Sequence, residues 1–133
     1  MVRDEVSLEV TPRFKRYKFK GYPSTFYPVF VNLVDNALYW VAQAPDPRVI
    51  TIDEEAGVIR VSDSGPGVLD RDHEAIFEQG FTRKPGGRGL GLYISRDVLR
   101  RDGYDLEVAP AEPGKRGTFL IRPVSQQTTE EEE

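Results

Sequence analysis

An α+β domain is the fold class that the sequence predicts, on three observations. One long stretch repeats apolar residues at helical spacing, through Phe26, Val29, Phe30, Leu33, Ala37, Trp40 and Val41. Short segments that alternate or cluster apolar residues read as strands before and after it, with turn residues between them. The chain has 133 residues, 38% hydrophobic and 30% charged, which suits one soluble domain built around a single core.

In chain order, Val6, Leu8 and Val10 alternate with polar residues and predict a first strand. Phe14, Tyr17 and Phe19 alternate less cleanly within Arg13 to Lys20, which predicts a second strand joined to the first near Thr11-Pro12-Arg13. The interleaved Arg13, Lys15, Arg16, Lys18 and Lys20 then sit on the exposed face of an edge strand, which explains them more simply than nucleic acid does. Gly21-Tyr22-Pro23 predicts a turn, and Ser24 or Thr25 caps the long helix, with Pro28 in its first turn, where a missing N–H is harmless. That helix stops before Pro45-Asp46-Pro47. Val49 to Glu54 and Gly57 to Asp63 predict two strands across the turn Glu55-Ala56-Gly57. Asp70 to Gln79 predicts a short helix, followed by a polar, basic loop from Gly80 to Arg88. A second long helix is expected from about Gly89 to Arg101, ended by Asp102-Gly103. Leu106 to Ala109 and Gly117 to Arg122 form a last hairpin around Pro113-Gly114-Lys115-Arg116. Residues 1–123 are thus expected as the domain, and 124–133, rich in glutamate with little to bury, as a disordered acidic tail.

Three places carry chemistry. Gly86-Gly87-Arg88-Gly89-Leu90-Gly91-Leu92 leads into a helix, and the free N–H groups and positive dipole end of a helix's first turn favour an anion such as phosphate. A flexible loop fits the same residues, but no Gly-Lys-Ser/Thr follows, and the glycine spacing is not that of a dinucleotide fold. Asn32 and Asn36 lie one turn apart on a helix face that Tyr39 and Gln43 continue. An amide oxygen there suits Mg2+, which takes few protein ligands, and equally suits holding a helix end. Asp63-Ser64-Gly65-Pro66-Gly67 ends a strand with a carboxylate before a tight turn. It either caps that turn or accepts a hydrogen bond from an exocyclic amine, while Gly65 and Gly67 let a flat ring approach the backbone.

With these residues in order, the chain resembles the ATP-binding catalytic domain of sensor histidine kinases, within the superfamily of gyrase-, Hsp90- and MutL-type ATPases. Asn32-Leu33-Val34-Asp35-Asn36-Ala37 is similar to the N box, and Asp63 to Gly67 to the G1 box. Ile76 to Lys84 is similar to the F box, Gly87 to Leu92 to the G2 box, and Gly117-Thr118-Phe119 to the closing glycine-threonine element. The resemblance implies a two-layer sandwich, a mixed and mostly antiparallel sheet covered on one face by helices. It also implies ATP and Mg2+ as cofactors, with Asn36 as the metal ligand, Asp63 on the adenine amine and Gly67 on the adenine face. Gly65, Tyr39 and Thr118 join that contact set. Gly87, Gly89, Leu90, Gly91 and Leu92 would surround the phosphates, and Phe77 and Phe81 would anchor a lid whose Arg83, Lys84 and Arg88 meet the triphosphate. Asn32, Lys84 and Arg88 are the positions implied for catalysis.

Two departures shape the expected activity. Many such kinases carry Lys-Tyr where this chain has Tyr39 and Trp40, a missing cation that Lys84 or Arg88 would replace. Gyrase- and MutL-like relatives keep a glutamate at the position of Asn32 to activate water, and a neutral amide cannot act as that base. The expected function is therefore transfer of the γ-phosphate to a histidine on a separate helical hairpin, the dimerisation and phosphoacceptor domain, with a response-regulator receiver domain downstream. A stand-alone switch ATPase and a degenerate nucleotide-binding or docking module are the alternatives. His73, the single histidine, lies on a charged segment expected to be exposed, so the chain alone is not expected to phosphorylate itself. A net charge of −4 argues against a general nucleic-acid partner. The absence of cysteine removes thiolate chemistry and cysteine zinc sites. Without an apolar run of spanning length, no direct membrane contact is expected, and the location is expected to be cytoplasmic.

Overall fold

The computed structural model describes residues 5–82, 91–110 and 117–124. Among the described residues, five strands form one mixed sheet: β1 (Ser7–Val10), β2 (Val49–Glu55), β3 (Val58–Asp63), β4 (Tyr104–Val108) and β5 (Gly117–Pro123), in the order β1-β2-β3-β5-β4. Only β1 and β2 are parallel, and the other pairs are antiparallel. The helices are α1 (Pro12–Arg16), α2 (Pro23–Val41) and α3 (Gly91–Arg101). The core lies between sheet and helices, where Ile52, Ile59, Val61, Leu106, Phe119 and Ile121 meet Phe26, Val29 and Leu33 of α2 and Leu99 of α3. This is the α+β class that the sequence predicts and the helix-covered mixed sheet that the resemblance implies.

The region after β1 departs from expectation. Arg13 to Lys20 is not a strand: Pro12 opens α1, and the Thr11 hydroxyl caps it by accepting from the Phe14 N–H at 3.2 Å. Thr11 also donates to Asp53 on β2 at 2.6 Å, and Arg13 bonds the other oxygen of that carboxylate at 2.6 Å. Phe14, Phe19, Phe26 and Phe30 then form an aromatic cluster, with Phe19 stacked on Phe26 at 4.8 Å. Aromatics that resemble an uneven strand pattern are instead gathered by a single helical turn and the extended segment after it. The lysines therefore sit on that turn and segment, exposed, rather than on an edge strand.

Two further boundaries move. α2 starts one residue before Ser24, with Pro23 in its first turn and Tyr22 as an N-cap that makes no side-chain bond, so neither Ser24 nor Thr25 is the cap. Pro28 consequently falls inside the helix rather than in its first turn. Asp70 to Gln79 is not one helix but two single turns of 3-10 helix, Asp70–Asp72 and Ala75–Phe77. The turns close through i→i+3 bonds, from the His73 N–H to the Asp70 carbonyl and from the Glu78 N–H to the Ala75 carbonyl, and the second buries Ile76 and Phe77. The other turns agree with the sequence: Ala56 and Gly57 have positive φ between β2 and β3, and Gly103 has φ 85° just past α3. The expected α3 start at Gly89, the loop around Pro113 and the tail from residue 125 lie outside the described residues. Val124 is described, and its N–H donates to the Gly103 carbonyl at 2.8 Å.

Candidate functional site

Asp63 is the last residue of β3 and is only 6% exposed. Its Oδ1 accepts from the Gly65 N–H at 2.7 Å. Burial lifts its pKa from 3.8 to about 6, a rise that the Gly65 bond partly opposes. Gly117 lies directly opposite on β5, where a Cβ would come within 2.8 Å of Oδ2 and 3.0 Å of Oδ1. A Cβ on Gly65 would stand 2.8 Å from Oδ1 and 3.2 Å from the Trp40 carbonyl at the end of α2. The two glycines thus keep clear the flanks of a buried acceptor. Gly67, with φ 87°, makes the turn that follows. Beside this pair, the buried Thr118 hydroxyl donates to Ser62 Oγ at 3.2 Å across the same two strands.

Asn32, at the middle of α2, ties that helix to α3. Its Nδ2 donates to Ser95 Oγ at 3.0 Å and lies 3.4 Å from the Gly91 carbonyl, so the amide holds the start of α3 against α2. Ser95 is 1% exposed, which makes this bond between helices costly to leave unmade. One turn further, Asn36 is half-buried, and among the described residues nothing pairs with its amide. Tyr39 is half-buried, its ring edge-on to Trp40 at 4.8 Å. About 12 Å of helix separates Asn32, beside Gly91, from Trp40, beside Gly65, with Asn36 midway. The α2 face therefore connects an acceptor suited to an amine with a helix N-terminus suited to an anion.

The residues fit a nucleotide with a divalent ion. Among the described residues no group of three or more His, Asp or Glu side chains could hold a metal, so no protein cage is present there. A half-buried amide that would contribute one oxygen, beside phosphate oxygens and retained waters, suits Mg2+, which needs few protein ligands.

The sequence-predicted residues Asn32, Asn36, Tyr39, Asp63, Gly65, Gly67, Gly91, Leu92 and Thr118 are described and lie along α2, the end of β3, the start of α3 and β5. Phe77 is in the core at 5% exposure, and Phe81 is half-buried against it. Lys84, Arg88, Gly87, Gly89 and Leu90 lie outside the described residues. His73 is half-buried rather than exposed, with its Nε2 3.3 Å from the Val68 carbonyl. Gly117, Ser95 and the Trp40 backbone were not predicted as site residues. Their roles depend on strand register and helix contact, for which the sequence holds no local signal.

Comparison with known proteins decides the family. Residues 21–127 match the family model described as "Histidine kinase-, DNA gyrase B-, and HSP90-like ATPase". The chain belongs to this family. Sensor histidine kinase ZraS of Escherichia coli (strain K12) is 33% identical over 118 residues, covering 88% of this chain and 25% of that protein. Sensor protein CitS of Bacillus subtilis (strain 168) is 40% identical over 86 residues, 62% of this chain and 16% of that protein. The chain thus spans about a quarter or less of the length of these relatives. Among solved structures, the mycobacterial sensor histidine kinase MprB superposes with a TM-score of 0.65 at 26% identity, over 90% of this chain and 83% of that one. The catalytic domain of histidine kinase ThkA gives the same score and identity over 90% of this chain and 78% of its own. The chain is accordingly an ATPase-type catalytic domain of the histidine kinase kind, and its family binds ATP.

Proposed function

We propose that this domain binds Mg-ATP along α2 and donates the γ-phosphate to a histidine on a separate helical hairpin of a sensor kinase, which passes it on to a receiver domain. The observation that carries the reading is Asp63, a buried carboxylate with glycine on both flanks. It accepts from the adenine amine, and it repels the carbonyl that guanine places there. Asn36 holds Mg2+, which offsets phosphate charge when bound. The start of α3 at Gly91, fixed by Asn32, receives the phosphates at its free N–H groups. Lys84 and Arg88 supply further positive charge, replacing the cation absent at Tyr39. Transfer then needs chiefly position: the acceptor imidazole nitrogen forms a bond to Pγ, the bond from Pγ to the bridging oxygen breaks, and ADP leaves. Asn32 cannot take a proton from water, and its amide nitrogen is committed to Ser95, which favours transfer over hydrolysis. The domain works on the cytoplasmic side, within a longer parent kinase. None of its described helices is long and apolar enough to cross a membrane.

Two measurements test this. Calorimetry should give Mg-ATP binding that GTP does not match and that Asp63→Ala weakens strongly, whereas equal binding of GTP would remove the adenine assignment. Radiolabelled ATP should label a histidine-bearing hairpin from the same kinase but not the chain alone. Rapid phosphate release by the chain without the hairpin would point to a switch ATPase instead.

A further inference from the structure

We propose that Arg96 is a positioning residue for the phosphate side of the nucleotide site, clamping the turn Ala75–Phe77 to α3 and so fixing the two chain ends that flank residues 83–90. The inference rests on the reading that phosphates meet the start of α3. Arg96 lies on α3, yet its contacts are with other elements. Its guanidinium carbon stands 4.2 Å from the centroid of the Phe77 ring. Nη1 pairs with Glu74 just before the turn at 3.3 Å, and Nε pairs with Asp105 on β4 at 3.3 Å. The side chain is only 15% exposed, so these contacts are partly shielded from water.

Each anchor is itself held. Phe77 is 5% exposed and meets Phe119 of β5 edge-to-face at 6.5 Å. Asp105 also accepts from the Leu106 N–H at 2.8 Å and from Arg100 at 2.9 Å. Chain continuity gives the arrangement its consequence. From Phe77 the backbone runs through Gly80 and Phe81 to Thr82, with the Phe81 N–H bonded to the Glu78 carbonyl at 3.1 Å. α3 resumes at Gly91, and Asn32 ties Gly91 and Ser95 to α2. Asn32 therefore sets α3 against α2, while Arg96 sets the same helix against the turn that precedes residues 83–90. A planar guanidinium is suited to this because it can stack on a ring and fork to two carboxylates at once, which an ammonium cannot do.

A residue that merely stabilises the fold and one that positions the phosphate side differ in what they do to two ligands. Adenosine uses only the Asp63 end of the site, whereas Mg-ATP also uses the start of α3. Both should be titrated calorimetrically into the wild-type chain, Arg96→Ala and Arg96→Lys, with circular dichroism melts alongside. Arg96→Met, which keeps the stem, takes the place of the alanine variant if that fails to fold. Arg96→Ala is expected to weaken Mg-ATP roughly five- to tenfold and to leave adenosine within about twofold, a span typical of coupling through packed contacts. Arg96→Lys should fall between, since it keeps the cation and loses the fork. Unchanged Mg-ATP affinity in Arg96→Ala, or an equal loss for both ligands, would overturn the positioning role alone. A wild-type chain that binds neither ligand would overturn the nucleotide reading and this inference with it.

Discussion

Replacing Asp63 by asparagine should make the protein more stable and less able to bind nucleotide. The carboxyl has a folded pKa of about 6 against an ordinary 3.8. The folded state therefore holds its proton more tightly between those two values, and stability falls as pH rises from about 4 to about 6, then stays level. At 1.36 kcal/mol for each step of one in pKa, the ionised group costs the fold about 3 kcal/mol at neutral pH. Asparagine has the same shape and an oxygen for the Gly65 N–H, but no charge to desolvate. Urea denaturation without nucleotide should thus find Asp63→Asn more stable by about 2 to 3 kcal/mol near pH 7.5, with the gap shrinking below about 1 kcal/mol near pH 4. Binding should move the other way. The Gly65 N–H and an adenine amine are two donors converging on two carboxylate oxygens, and asparagine has only one oxygen to offer, so Mg-ATP should bind at least about tenfold more weakly. An asparagine variant that is no more stable near pH 7.5, or a stability gap independent of pH, would refute the claim that burial of this charge dominates the site.

Adenosine affinity of the wild-type chain should drop about tenfold between pH 7 and pH 5, because protonation of Asp63, with a pKa of about 6, removes the charge and turns one of its two acceptor oxygens into a donor; a flat calorimetric profile would contradict this. Asn36→Ala should abolish the gain in ATP affinity that Mg2+ brings while leaving adenosine binding intact, as measured by titrations with and without the ion. Gly117→Ala should weaken adenosine at least about tenfold, since its Cβ would press to 2.8 Å from Asp63 Oδ2, and retained binding would mean that the β5 edge yields. Thr11→Ala should lower stability by about 1 to 2 kcal/mol in urea melts, because it removes both the cap of α1 and a hydroxyl bond to Asp53.

Much of the candidate site is legible in the sequence because its motifs are contiguous. Asparagines one turn apart share a helix face wherever that helix lies, and an acid before Gly65-Pro66-Gly67 marks a turn without reference to the rest of the chain. The order of strands and long helices follows for the same reason, from apolar spacing over a few neighbours. Tertiary structure decided what those residues experience. Asp63 is perturbed because the fold buries it at the end of β3, paired with Gly117 of β5, and Asn32 becomes a helix tether only because Ser95, 63 positions away, folds beneath it. Arg96 meets Phe77 through the packing of α3 on a turn whose 3-10 form was not foreseen. The segment from Arg13 to Lys20 belongs to the same class: Thr11 and Arg13 fold toward Asp53 on a strand some 40 residues later, and that long-range anchoring outweighs the local strand pattern. Spacing along a chain encodes which side of an element a residue occupies, whereas burial and partner depend on which other elements arrive there, and those are set by the summed packing of the whole core.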